Sequence, residues 1–156
     1  MLADDASHDL DLRGIGRLLA FTSNDEVNAL ATGRFARIFG RREVFQLTPS
    51  KRRSGNLSVP EELLGRLVGI DGLSYSTIDE RSRQGWRVRG APSGAFIEAA
   101  FEDQLYIPMV RVDEGRMAFL CRNDPLPTEG DVIGLAAPSL QRQLDELKQL
   151  DQLTDE

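Results

Sequence analysis

Residues 18 to 48 carry two short apolar runs on either side of one helix-length amphipathic segment, and the links between the three are only a few residues long. The first run, Leu18-Leu19-Ala20-Phe21-Thr22, lacks polar alternation, as does a strand covered on both faces. Ser23-Asn24-Asp25 ends it. Val27, Leu30, Ala31, Phe35 and Ile38 then recur every three or four residues, and Gly40 follows as a stop signal. The spacing predicts an amphipathic helix with Ser23 or Asn24 as its N-cap. Asp25 and Glu26 fall in its first turn, where the helix dipole favours negative charge. Glu43 to Thr48 reads as a second strand, stopped by Pro49. Strand, helix and strand joined by short links form a βαβ unit, so the two strands are expected to be parallel and the crossover right-handed. Gly14-Ile15-Gly16 precedes the first strand, whereas the glycines of a dinucleotide loop follow one, so it reads as a lead-in turn.

The fold class expected is α/β, a partial Rossmann-like βαβ with parallel strands, followed by a smaller α+β module. Ser58 and Glu61 have capping-box spacing and Pro60 suits a first turn, which predicts a short helix over 60–68. A second short helix is expected over 77–84, closed by Gly85. Trp86-Arg87-Val88-Arg89 alternates like a half-buried strand. Residues 107–112 and 117–122 are apolar-rich and flank Asp113-Glu114-Gly115-Arg116, a hairpin turn. A third run covers 132–137. Residues 95–101 fit helix or strand equally. Pro138 opens a tail helix with Leu140, Leu144, Leu147, Leu150 and Leu153 along one side. The expected organisation is an acidic leader (1–14), the βαβ unit (15–50), a basic linker (51–57), the α+β module (58–137) and an acidic tail helix (138–156).

Composition narrows the function classes. The chain has 156 residues, one cysteine (Cys121) and one histidine (His8), too few for a disulfide or a Cys/His zinc site. Cys121 reads as a small core residue and His8 as a surface one. A reducing, cytoplasmic setting is expected. No apolar run reaches the roughly 18 residues of a membrane span, and Met1 to Arg13 lacks the cationic-then-apolar pattern of a signal peptide. The net charge of −6 is carried by the two ends, and the stretch between them is neutral. A nucleic-acid binder needs a net basic face, so nucleic acid is not an expected partner. There is no Walker, H-E-x-x-H or G-x-S-x-G motif. Carboxylates such as Glu61 and Glu62 are sequence neighbours whose side chains diverge, which does not make an acid/base pair. No enzymatic activity is expected.

One constellation remains. Ligands of open α/β sheets bind beyond the carboxyl ends of the strands. Thr22, Ser23, Asn24 and Asp25 follow the first strand, and Lys51, Arg52 and Arg53 follow the second. Parallel strands would put both groups at one edge, where the first can hydrogen-bond a ribose or base and the second can neutralise a phosphate. The same residues also serve as a helix cap and a solvated linker.

From Leu18 to Leu47 the sequence LLAFTSNDEVNALATGRFARIFGRREVFQL closely resembles the second half of the TrkA-N, or RCK, nucleotide-binding domain. This form of it looks most like the cytosolic C-terminal region of bacterial sodium/proton antiporters of the cation:proton antiporter superfamily. Pro127-Thr128-Glu129-Gly130-Asp131-Val132-Ile133 is similar to the P-x-x-G-D-x-L/I turn of TrkA-C domains, and Gly85-Trp86-Arg87-Val88-Arg89 looks like a segment of these antiporter tails. The resemblance implies a non-enzymatic regulatory domain, sensing a ligand and biasing sodium or potassium exchange for protons. Its partner would be the membrane antiporter domain, within the same polypeptide, and the module would be a homodimer tethered at the inner membrane. It implies an adenine nucleotide or NAD as ligand, although only 14 residues precede the βαβ unit at Ile15 and the glycine-rich half of such a site is not among them. The chain is therefore expected to be part of a longer protein or a reduced version of the domain. A lone βαβ unit leaves sheet edge and apolar surface uncovered, which predicts dimerisation or strand borrowing. Two readings from other classes compete with it, a small nucleotide-dependent oxidoreductase and a structural oligomerisation domain built on the leucine-bearing tail.

Overall fold

The computed structural model describes residues 14–50 and 64–154, with side chains as far as Glu146. The leader, the basic linker and the far end of the tail lie outside the residues whose side chains are described. The fold is mixed α/β, with a three-stranded parallel sheet and a four-stranded antiparallel one.

The parallel sheet comes from the predicted βαβ unit. Strand β1 (Leu18–Ala20) is followed by helix α1 (Asp25–Phe39), a single 3-10 turn (Arg41–Glu43) and strand β2 (Val44–Gln46). β1 and β2 are parallel, pairing Leu18 with Val44 and Ala20 with Gln46. Gly40 ends α1 at a φ of 85°, and only glycine adopts that backbone at no steric cost. α1 packs on the sheet through Asn28, Ala29 and Thr32. The apolar stripe is turned away: Leu30 is 75% exposed, Val27 48% and Ile38 49%.

The third strand is a correction. In place of the helix expected over 60–68, Arg66–Leu67 forms strand β3, parallel to β2; residues 58–63 lie outside the described residues. Gly65 lets the chain come this close, because a Cβ there would sit 2.8 Å from the Val44 carbonyl oxygen. Gln46, 1% exposed, joins the pieces. Its Oε1 accepts from the Thr32 hydroxyl at 3.1 Å and from the Gly65 N–H at 3.2 Å. From Arg66 to Leu67 the chain follows the pairing with β2, while Ser58 and Glu61, the residues with capping-box spacing, lie outside the described residues.

The antiparallel sheet has the order β4-β7-β5-β6. Helix α2 (Tyr75–Arg83), capped by Ser74, leads to β4 (Arg87–Pro92); helix α3 (Ala95–Glu102) leads to β5 (Tyr106–Asp113). Residues 95–101 thus take the helical alternative. β6 (Arg116–Phe119) returns through a two-residue turn in which Glu114 and Gly115 have φ of 47° and 75°, the doubly left-handed conformation that matches strand twist. β7 (Asp131–Ala136) runs between β4 and β5, and helix α4 (Pro138–Thr154) follows. Two details differ from expectation. Trp86 is buried just before β4 begins, while Val88 is 58% exposed. β6 stops at Phe119, short of the expected Arg122. Pro108 lies in central strand β5 where the register to β7 shifts, and a proline, having no N–H, is tolerated in a sheet at such a bulge.

One face of this sheet is closed by α3 and α4, with Ile97, Leu140 and Leu144 against Ala91, Tyr106 and Val132. The other is partly closed by Trp86 and Ile78 against Leu135 and Ile107. The two sheets are joined at Val68, which bridges to Cys121. Gly69 N donates to Leu120 O at 2.8 Å, and Arg122 N donates to Leu67 O at 2.8 Å. Phe45 packs on Val68, Cys121 and Phe119, its ring centroid 4.9 Å from that of Phe119.

Two measurements test this packing. A Cβ at Gly134 would meet the Ile107 carbonyl oxygen and the Tyr106 ring, so Gly134→Ala should lower unfolding free energy by about 2–3 kcal/mol. Gly90→Ala, where the nearest atom is 3.8 Å away, should change it by less than about 0.5 kcal/mol in the same urea titration. Tyr106 is buried, with its hydroxyl 2.8 Å from Val132 O and 2.9 Å from Arg89 O. Burial raises its pKa well above the ordinary 10.0, against a smaller lowering from a Gly134 backbone hydrogen bond. The unfolded phenol ionises first, so the stability Tyr106 provides is intact below pH 10 and falls as pH rises beyond it. Tyr106→Phe should remove that part of the alkaline slope.

Candidate functional site

Parallel strands bring the carboxyl ends of β1 and β2 to one edge, and the loops beyond them meet there. Asp25 Oδ2 accepts from the Ser50 N–H at 2.9 Å and from its hydroxyl at 3.0 Å. Residues after the first strand are thus joined to the residue just before the basic cluster. Lys51, Arg52 and Arg53 themselves lie outside the described residues.

The remaining polar groups are held within the β1–α1 joint. Asn24 is the N-cap, its Oδ1 accepting from Glu26 N at 3.0 Å and Val27 N at 3.2 Å. Asn28 is buried one turn along, with its amide bonded on both sides. Its Oδ1 accepts from the Thr22 hydroxyl at 2.7 Å and the Thr22 N–H at 3.1 Å, and its Nδ2 donates to Thr22 O at 2.9 Å. The Thr22 hydroxyl also accepts from Asn24 N at 3.2 Å. Ser23 is exposed at the tip. The structure therefore gathers Thr22, Asn24 and Asp25 as expected but uses their oxygens to fix the chain's turn from strand into helix. An adenine nucleotide or NAD bound to these atoms would compete with these bonds.

Asn28 and Ser50 complete this joint, and neither is among the site residues expected from the sequence. Asn28 stands four residues after Asn24 in a segment otherwise read for its apolar spacing; the visible sign was a helix-interior asparagine, which needs a local partner.

A second concavity lies at the junction of the sheets. The Gly69–Leu73 turn, α2, α3 and the start of β5 enclose a half-open depression of about 190 Å³. Asp71, Thr77, Arg81 and Gln104 supply its polar groups, and Leu73 and Ile107 are among its apolar ones. The Arg81 guanidinium lies 4.6 Å from the centroid of the Trp86 ring, a cation–π contact that fixes its plane. Gly69 and Gly72 both have positive φ; two glycines bracketing Ile-Asp were the available sign of this turn. The Thr48 hydroxyl next to Gly72 is buried without a hydrogen-bond partner.

Cys121 is buried in the joint between the sheets. Burial, with the nearby Asp124 charge, raises its thiol pKa against the opposing pull of Arg66, so it stays a protonated core group. Among the described residues no cluster of three or more His, Cys, Asp or Glu side chains could hold a metal ion, and no helix is long and apolar enough to cross a membrane. Comparison with protein-family models, with curated proteins and with solved structures found no match.

The two asparagines differ in what they hold, and substitution should separate them. Asn24→Ala removes an exposed cap and should cost about 1 kcal/mol. Asn28→Ala leaves Thr22 without its buried partner and should cost about 2 kcal/mol. Chemical denaturation followed by circular dichroism reads both.

Proposed function

We propose that this chain is a regulatory domain of a monovalent cation:proton antiporter, acting on the cytosolic side to modulate sodium or potassium exchange without chemistry of its own. The observation that carries the reading is the Thr22-Ser23-Asn24-Asp25-Glu26-Val27-Asn28 segment. It resembles the strand-to-helix joint of TrkA-N domains, and in this chain it forms such a joint at the carboxyl edge of a parallel sheet. The later Gly130-Asp131 turn supports a TrkA-C-like second module. Gly130 has a φ of 77°, and its carbonyl accepts from both Ser93 N and Ser93 Oγ before β7 begins.

In this reading the joint is scaffold rather than receptor, because Thr22, Asn24 and Asn28 bond one another or the first turn of α1 and Asp25 bonds Ser50. Regulation then runs through the surfaces the domain presents: whatever covers them in one state of the transporter and not in the other biases exchange by the difference in binding free energy.

Everted membrane vesicles of the source cell test the proposal. Deleting the coding region for residues 15–137 should shift the half-saturating sodium or potassium concentration for proton exchange by about fivefold or more. Identical exchange with both cations, with and without the region, would overturn it.

A further inference from the structure

The depression at the junction of the sheets is lined by two charged groups of opposite sign, and no other described residue neutralises either. Arg81, on α2, lies with its guanidinium against the buried Trp86 ring. The guanidinium makes one long hydrogen bond among the described residues, from Nη1 to Gln84 Oε1 at 3.4 Å, and has no carboxylate partner. A guanidinium held by its face on an aromatic ring keeps its planar edge for a forked bond to a carboxylate. Asp71 is the third residue of the Gly69–Gly72 turn, which closes with Gly72 N donating to Gly69 O at 2.9 Å. Its exposed carboxylate has no hydrogen bond or ion pair among the described residues. Gln104 is the third polar group. It follows α3 at a φ of 57°, with its N–H donating to Phe101 O at 3.0 Å and Leu105 N donating to Ala100 O at 2.8 Å. This left-handed helix ending favours glycine or asparagine. Here a glutamine bears the strain, and its side-chain amide is unpartnered among the described residues while lining the depression.

We propose that this depression binds a free α-amino acid with an apolar side chain of the size of valine, leucine or methionine. Arg81 takes the carboxylate, Asp71 the ammonium group, and the Gln104 amide adds a hydrogen bond that fixes orientation. Leu73, Phe101 and Ile107 supply apolar surface for the side chain. Charge selects this class of ligand. A simple anion would be drawn to Arg81 and repelled by Asp71, and a simple cation the reverse, whereas a zwitterion satisfies both. Size narrows it further. A cavity of about 150 Å³ holds a benzene, so about 190 Å³ takes one small amino acid. It falls short of the roughly 300 Å³ at which pockets for larger organic ligands begin, which excludes enclosure of a nucleotide. The lining comes from the turn after β3, from α2, from the end of α3 and from β5. An occupant therefore ties the junction of the sheets together and stabilises the folded chain. Amino-acid binding here is independent of the transporter reading, since the purified chain reports on it and ion exchange does not.

The chain has one tryptophan, so fluorescence of Trp86 reads its contact with Arg81 directly. The test is titration of the purified full chain with L-valine, L-leucine and L-methionine up to millimolar concentrations. At least one should give a saturable change in Trp86 fluorescence and raise the melting temperature by several degrees at saturation. For the amino acid bound most tightly, the deaminated acid and the decarboxylated amine, 4-methylpentanoate and isoamylamine in the case of leucine, should each bind about tenfold or more weakly. Asp71→Asn, at an exposed position, should weaken the amino acid by about tenfold and tighten the deaminated acid, a pair of opposite changes that a folding defect does not produce. Arg81→Gln should abolish binding of both. Gln104→Gly should raise the melting temperature of the free chain by relieving the left-handed position, and weaken the amino acid several-fold. Three results would each overturn the inference: no fluorescence or melting response to any of the three amino acids, a deaminated acid bound as tightly as its amino acid, or an affinity indifferent to both Asp71→Asn and Gln104→Gly.

Discussion

The chain from Arg66 to Leu73 hydrogen-bonds to both sheets, and the rest of the molecule is arranged around it. On one side Val68 N donates to Gln46 O at 2.9 Å, extending the pairing of β3 with β2. On the other, Gly69 N reaches Leu120 O and Arg122 N reaches Leu67 O, which continues the line of β6. The Leu73 carbonyl then accepts from Thr48 N at 2.8 Å, returning to the end of β2. Val68, fully buried between these contacts, has Phe45 and Cys121 as neighbours. Arg17 adds a tie from outside, bonding Glu43 at 2.7 Å and the Met117 carbonyl at 3.0 Å. This ion pair is exposed and contributes little by itself. The buried backbone bonds matter more, because unmaking any of them would leave a polar group without water.

What the sequence made legible were the features set by near neighbours. The strand-helix-strand order, the parallel sense, the Asp113–Arg116 hairpin and a short helix over 77–84 closed by Gly85 all follow from periodicity, caps and glycine positions within a few residues. The features set by distant partners were not legible. β3 is a two-residue strand whose identity depends on Gln46 and Leu120, far away in the sequence. The orientation of α1 escaped for a related reason. Its apolar spacing marks one stripe, but the sheet is met by a neighbouring face whose asparagine and threonine find hydrogen-bond partners in Thr22 and Gln46. Helical periodicity identifies a stripe and leaves open what covers it.

The strand-end cluster shows how much a position alone establishes. Thr22, Asn24 and Asp25 stand where ligands of α/β sheets are usually met, and the topology that puts them there was predictable. Whether such groups face a ligand depends on what else competes for their hydrogen bonds. Here Asn28 and Ser50 do, and strand-end position alone points to neither. The depression beside Arg81 escaped in the opposite way: its lining comes from four separate segments, and no short motif marks it.

The double attachment at Val68 also bears on how this chain can diverge. Side chains along a strand alternate between faces, so a shift of one position exchanges buried and exposed sets. In most folds such a slip is confined to one sheet. Between Arg66 and Leu73 a single inserted or deleted residue would put both sheets out of step together, since the same few peptide groups set the register of each. Length changes are therefore expected to accumulate elsewhere along the lineage, while this segment drifts in side chain but not in length.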